Sequence, residues 1–269
     1  MIIDTHCHLD DPAYSEDFYE LIAQQIQAGV ERIIVPGVNA QSVGSVSRVC
    51  SQYPDFLYPA LGLHPEEVKE NYREELDKLH TALHNHDKKW IAIGEIGLDY
   101  HFDKTFRAEQ ADAFRQQLLW AVSGNLPVIV HSRDATADCL NILNDMKQQS
   151  SAASDGGRLR GVVHCFSGSR EVAEEIIKMG FCLGIGGIIT FKNVKLAETL
   201  ASIPLDKLVL ETDGPYMAPV PFRGKRNESR YLHYVAEILA NVYHCPLEEI
   251  YRQTTHNAMD LFFAGQDPA

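Results

Sequence analysis

The chain opens Met1-Ile2-Ile3-Asp4-Thr5-His6-Cys7-His8-Leu9-Asp10. Two apolar residues lead into His6 and His8, with Cys7 between them. Side chains two apart in an extended segment share a side, so both imidazoles face one point while Cys7 turns away into whatever packs behind. Neutral imidazole is the commonest nitrogen ligand of transition metals, which makes such a pair at a strand end a metal-binding motif. Twelve histidines in 269 residues will also fall two apart by chance. The reading therefore turns on whether the pattern recurs.

It does recur. Further short apolar runs occur at Ile33–Pro36, Leu57–Leu63, Trp90–Ile96, Pro127–Val130, Gly161–His164, Phe181–Gly186 and Leu208–Leu210. They are rich in Ile, Val or Leu and almost free of charge, as parallel strands buried on both faces should be. The stretches between them carry helical spacing. Phe18, Ile22 and Ile26 precede Gly29; Phe114, Leu118 and Ala121 precede Gly124; Val172, Ile176 and Met179 precede Gly180. Val235, Ile238, Leu239 and Val242 stripe a late helix. Eight strand-then-helix units predict an α/β fold, a single-domain (β/α)8 TIM barrel over residues 1–265, with a doubly wound open sheet as the alternative. The polar stretch Gln148–Gly157 reads as a loop before the sixth strand, and His80, His84 and His86 as surface residues of a charged helix.

Composition narrows the class. The chain is 45% hydrophobic and 23% charged, with no run approaching the roughly 18 apolar residues of a membrane span. Asp4, His6 and His8 interrupt the apolar start, unlike a signal peptide. Six scattered cysteines without a CxxC pair suit reduced thiols, so the expectation is a cytoplasmic protein without membrane association. A net charge of -13 argues against tight, unspecific nucleic-acid binding, although it leaves room for a local basic patch.

In a (β/α)8 barrel the active site lies at the carboxyl ends of the strands. Six of the eight runs end in ionisable residues: His6 and His8, then His64, Glu95, His131, His164, and Glu211 with Asp213. His6, His8, Glu95, His131, His164 and Asp213 offer four nitrogens and two carboxylates. That set suits two divalent ions about 3.5–4 Å apart with a carboxylate between them. Imidazoles favour zinc or manganese and magnesium prefers oxygen-rich sites, so zinc, magnesium and manganese all stay open.

The ordered motifs THCHLD (5–10), GLHP (62–65), GEIGLDY (94–100), HSRDA (131–135), HCFSG (164–168), ETDGPYMAP (211–219) and RGKRNES (223–229) resemble the TatD family of metal-dependent deoxyribonucleases. That family belongs to the amidohydrolase superfamily. The resemblance spans essentially the whole chain. It implies a (β/α)8 barrel, divalent-metal dependence, and hydrolysis of DNA phosphodiesters, often from the 3′ end. Carried over by position, it makes the same six residues the metal ligands and leaves His64 lining the pocket. Gly214 and Ser229 depart from common family residues without touching a proposed ligand. Glu95 stands where many superfamily members carry a carbamylated lysine.

The expected mechanism uses a metal-activated water, with Asp213 as general base, Glu95 bridging the ions, and His64 bonding the scissile phosphate or leaving group. Arg223, Lys225, Arg226 and Asn227 in the loop after the eighth strand, together with Arg133, offer a local positive lip for DNA. Tyr100, Tyr216 and Phe222 are candidate stacking platforms for unpaired bases. No obligate protein partner is expected. Two other readings compete: the same site acting on an ester such as a D-aminoacyl-tRNA, and a non-catalytic nucleic-acid- or partner-binding barrel.

Overall fold

A computed structural model describes residues 1–85, 89–152, 157–192 and 194–264. Eight parallel strands follow one another around the sheet in chain order: β1 (Ile2–Asp4), β2 (Val30–Val35), β3 (Leu57–Leu61), β4 (Ala92–Asp99), β5 (Val128–Arg133), β6 (Gly161–Val163), β7 (Cys182–Ile185) and β8 (Leu208–Leu210). Each of the eight apolar runs contributes one strand. The seam between β8 and β1 is also bonded. Thr5 N–H donates to Leu210 O (3.0 Å), Asp213 N–H to His6 O (2.9 Å) and His8 N–H to Gly214 O (2.8 Å). An open sheet would leave those edges unpaired. The fold is a TIM barrel.

The helices are α1 (Phe18–Gln27), α2 (Ser42–Gln52), α3 (Tyr72–Leu83), α4 (Arg107–Ser123), α5 (Thr136–Ala152), α6 (Arg170–Lys178), α7 (Leu196–Leu200), α8 (Leu232–Tyr243) and α9 (Leu247–Phe262). Two sequence expectations change here. On α1, Ile26 is exposed, and Leu21 and Gln25 join Phe18 and Ile22 on the buried face. Residues 148–152 of the supposed loop continue α5. The rest of that loop at 153–156, His86, and the domain end at 265 lie outside the described residues. His80 and His84 are exposed on and just after α3, as expected.

Side chains alternate across each strand, which splits the core in two. Ile33, Val35, Val128, Val130, Leu208 and Leu210 pack outward against the helices. Ile3, Ile34, Ala60, Ala92, Ile129, Val162 and Val209 fill the barrel interior together with Leu261, Phe262 and Phe263. The end of α9 therefore closes the barrel mouth opposite the strand carboxyl ends. There the Phe263 ring meets Tyr58 edge-on at 4.7 Å, and the Arg32 guanidinium lies 4.5 Å from the Phe263 ring centre. Phe263→Ala should cost about 3–5 kcal/mol of stability through the cavity left in this plug. Thermal unfolding would read that loss, and metal content should stay at the wild-type level.

Candidate metal centre

The site is built around the middle of β4. In Gly94-Glu95-Ile96-Gly97 the pairing of β4 with β5 slips register between Ile93 and Ile96. Such a bulge re-aims a side chain, here Glu95. Both glycines are required by proximity to β5. A Cβ on Gly94 would lie 2.6 Å from Ile129 Cβ, and one on Gly97 (φ +147°) would run into the His131 carbonyl. The strands thus approach closely enough to hold Glu95 against His131.

Glu95 is 3% exposed and its two oxygens face different groups. Oε2 lies 3.2 Å from His6 Nε2 and 3.5 Å from His8 Nε2. Oε1 lies 2.7 Å from His131 Nδ1, 2.7 Å from His164 Nε2 and 3.3 Å from His64 Nε2. Asp213 Oδ1 completes the first group at 3.7 and 3.8 Å from His6 and His8. All six residues predicted as ligands therefore converge, in overlapping sets whose donor atoms lie within 4.8 Å of one another.

The chemistry of this donor set fits divalent ions. Imidazole nitrogens face each other at 3.1 Å in both groups, His6 with His8 and His131 with His164. The other nitrogen of His6 is buried without a hydrogen-bond partner among the described residues. Such a crowd of lone pairs around one carboxylate is satisfied by cations better than by shared protons. Burial, then the neighbouring His164, pushes His6 down to about 3, so it stays neutral and ready to ligate. Burial works to raise Glu95, yet His164, His64, His6 and the bond from His131 hold it well below the usual carboxylate range. Burial opposes the charge on His164, but Glu95, then Glu211 and Asp213, raise the imidazole to about 10 and hold on it a proton that a bound cation would displace.

Three acids outside the predicted ligand set stand behind the proposed ligands. Asp99, 3% exposed, sits 2.9 Å from His131 Nε2 and also accepts the His101 N–H. A carboxylate on the far nitrogen fixes the tautomer and orientation of a ligating imidazole. Asp99→Asn should weaken metal affinity about 10–100-fold. Competition with a chelator would show this, and an unchanged affinity would remove Asp99 from that role. Glu211 lies 3.7 Å from His164 Nδ1 and accepts the Cys165 N–H. Burial pushes its carboxyl up to about 8, and Gly184 leaves the space it occupies. Asp4 is fully buried and accepts from His6 N–H, the Thr212 amide and hydroxyl, and the Ser229 hydroxyl, which pins the seam. The signal was present in the spacing. Asp4 lies two residues before His6, and Glu211 two before Asp213.

His64 Nδ1 accepts the Glu66 N–H at 3.2 Å. That places its proton on Nε2, so His64 presents a donor to the site rather than a lone pair.

The rim differs more from expectation. Tyr216 is 56% exposed, with its ring 6.5 Å from that of His8. Arg133 is exposed and its guanidinium lies 4.8 Å from the ring centre of Phe102, a 74% exposed side chain that the sequence reading did not single out. Arg223 and Lys225 are exposed, the former over Phe191 in the stretch after β7. Phe222 stacks on Tyr231 at 4.1 Å.

Three predicted substrate contacts are committed elsewhere. Tyr100 is buried, bonds Asp138, and has its ring covered by Arg107 at 3.9 Å. Arg226 is held by two 2.7 Å bonds to Asp17 and by Glu228 and the Ala13 carbonyl. Asn227 is fully buried, donates to Thr212 O and accepts the Glu228 N–H, tying its loop to the segment just after β8. The basic lip reduces to Arg133, Arg223 and Lys225.

A family model described as TatD related DNase matches residues 3–263. The chain is 43% identical to YabD, an uncharacterized metal-dependent hydrolase of Bacillus subtilis, over 97% of this chain and 99% of the relative. The crystal structure of YjjV, described as a TatD homolog from Escherichia coli, superposes with a TM-score of 0.89 at 35% identity, covering 97% of this chain and 98% of that one. A TatD family hydrolase from Entamoeba histolytica shares the fold, with a TM-score of 0.84 at 24% identity over 97% and 98% of the two chains.

Proposed function

This chain belongs to the TatD-related DNase family of metal-dependent hydrolases, and we propose that it removes nucleotides from the 3′ end of single-stranded DNA with two divalent ions that His6, His8, Glu95, His131, His164 and Asp213 would hold. The observation that carries this reading is the placement of Glu95, with one oxygen toward His6 and His8 and the other toward His131 and His164. The imidazole-rich set suits zinc or manganese better than magnesium.

Cations bound there would supply Lewis acidity toward a phosphoryl oxygen and make hydroxide available near neutral pH. The remaining work falls to the chain itself. Asp213 Oδ1, beside His6 and His8, takes the proton of the attacking water. His64 donates its Nε2 proton to a non-bridging phosphate oxygen, where charge develops in the transition state. Asp99 keeps the His131 ring aimed through its 2.9 Å contact with Nε2, and Glu211 lies 3.7 Å from His164 Nδ1. Arg133, Arg223 and Lys225 attract phosphates, while Tyr216 and Phe102 offer faces to unpaired bases. Three cations on a chain of net charge -13 hold DNA loosely, which suits an enzyme that works from a strand end.

The test is hydrolysis of 5′-labelled single-stranded DNA in the presence of magnesium, manganese or zinc, with a chelator control. Stepwise shortening from the 3′ end that chelation stops is the expected result. Intact DNA with metal-loaded protein would overturn the reading. Turnover of a D-aminoacyl-tRNA in a parallel assay would then assign the site to an ester.

A further inference from the structure

The loops after β5 and β6 enclose a cavity of about 310 Å³ beside the metal centre, and the proposed chemistry gives it no role. His164, a proposed ligand, forms part of its wall, and Arg133 is part of its lining. Leu140, Val163 and Ile176 give it an apolar floor, all 7% exposed or less. Ser132 and Thr136 add hydroxyls, and Ser132 Oγ is buried without an oxygen or nitrogen partner among the described residues. The nearby carboxylate of Asp134 is taken up by His101 at 2.8 Å.

We propose that this cavity receives the base of the nucleotide whose phosphate lies at the metal centre. The inference rests on the nuclease reading and names the part of the substrate that the reading leaves unplaced. Its volume falls at the small end of ligand pockets, which suits a planar heterocycle. Its position fits as well. A base hangs one sugar away from its phosphate, and the cavity is lined by His164, one of the six proposed ligands, and by Arg133, a cation of the rim. Hydroxyls rotate to donate or accept, so Ser132 and Thr136 can bond the edge of any base. An apolar floor with adaptable hydroxyls predicts tolerance of sequence, as removal of successive nucleotides requires.

The experiment compares equilibrium binding of deoxyadenosine 5′-monophosphate and of 2-deoxyribose 5-phosphate to the metal-loaded protein. The two ligands share the sugar carbons and the phosphate, and in the second a hydroxyl at C1′ replaces the base. Base burial should make the nucleotide bind roughly 10–100-fold tighter. Thr136→Trp and Ser167→Trp, both at exposed positions of the cavity wall, should bring the ratio close to one. A ratio near one in the wild-type protein overturns the proposal, as does a wild-type ratio that survives in both variants. DNA cleavage by the same preparations separates the two ideas. Cleavage without a base advantage refutes the cavity alone. A base advantage lost in the variants, without DNA cleavage, leaves the cavity standing and refutes the nuclease reading.

Discussion

Glu95→Gln is expected to lower the rate of phosphodiester hydrolysis by about 10³-fold or more, beyond the 10²–10³ of a single lost electrostatic contact. The expectation follows from how many partners share this side chain. Five imidazoles lie within 3.5 Å of its two oxygens. An amide keeps the volume and one acceptor, but loses the negative charge that would draw cations toward the surrounding imidazoles. It also replaces one oxygen with a donor pointed at nitrogens that must themselves ligate. If two ions bind as proposed, metal content should fall to one per chain or fewer, since among the described residues Glu95 is the carboxylate that reaches both groups of imidazoles. Elemental analysis of the purified variant measures this directly. Two retained ions with a rate within tenfold of wild type would show that Glu95 does not bridge.

The parts of the molecule that were legible in the sequence are those set by local periodicity and by strand polarity. Each apolar run became a strand because β-rich segments buried on both faces need no partner information to be recognised. Their ends point one way because every connection is a helical crossover, so His6, His8, Glu95, His131, His164 and Asp213 had to meet once the barrel closed.

What stayed hidden depends on contacts between distant segments. Arg226 sits in a basic run, but its partner Asp17 lies 209 positions away at the start of α1. Tyr100 follows a strand end like the residues that converge on Glu95, yet Arg107 and Asp138 cover it. Asn227 turns inward to the carbonyl of Thr212. The plug formed by Phe262 and Phe263 is equally invisible locally, because nothing in the α9 sequence says which barrel mouth it covers. Charge and aromaticity in a loop report what a residue can do. They do not report what it has already been paired with.

Asp213→Asn is expected to separate catalysis from metal binding. Asp213 sits in a left-handed backbone conformation (φ +57°), and its N–H bonds His6 O across the seam. Asparagine tolerates that conformation and keeps the amide, so the variant should fold normally. The other five donors remain, and metal content should stay close to wild type. If Asp213 Oδ1 accepts the proton of the attacking water, kcat should fall about 10²–10⁴-fold with KM little changed. The pH profile gives the decisive sign. Burial raises the Asp213 carboxyl above its usual value in the metal-free site, partly offset by His164 and His8, and cations held beside it would draw it down again. A base must be deprotonated to act, so the wild-type rate should climb with pH through that titration and then level off. The Asn variant has no such group, and its residual rate should lack that acidic limb. If Asp213 served only as a ligand, metal content would drop in step with the rate, and added metal would restore activity.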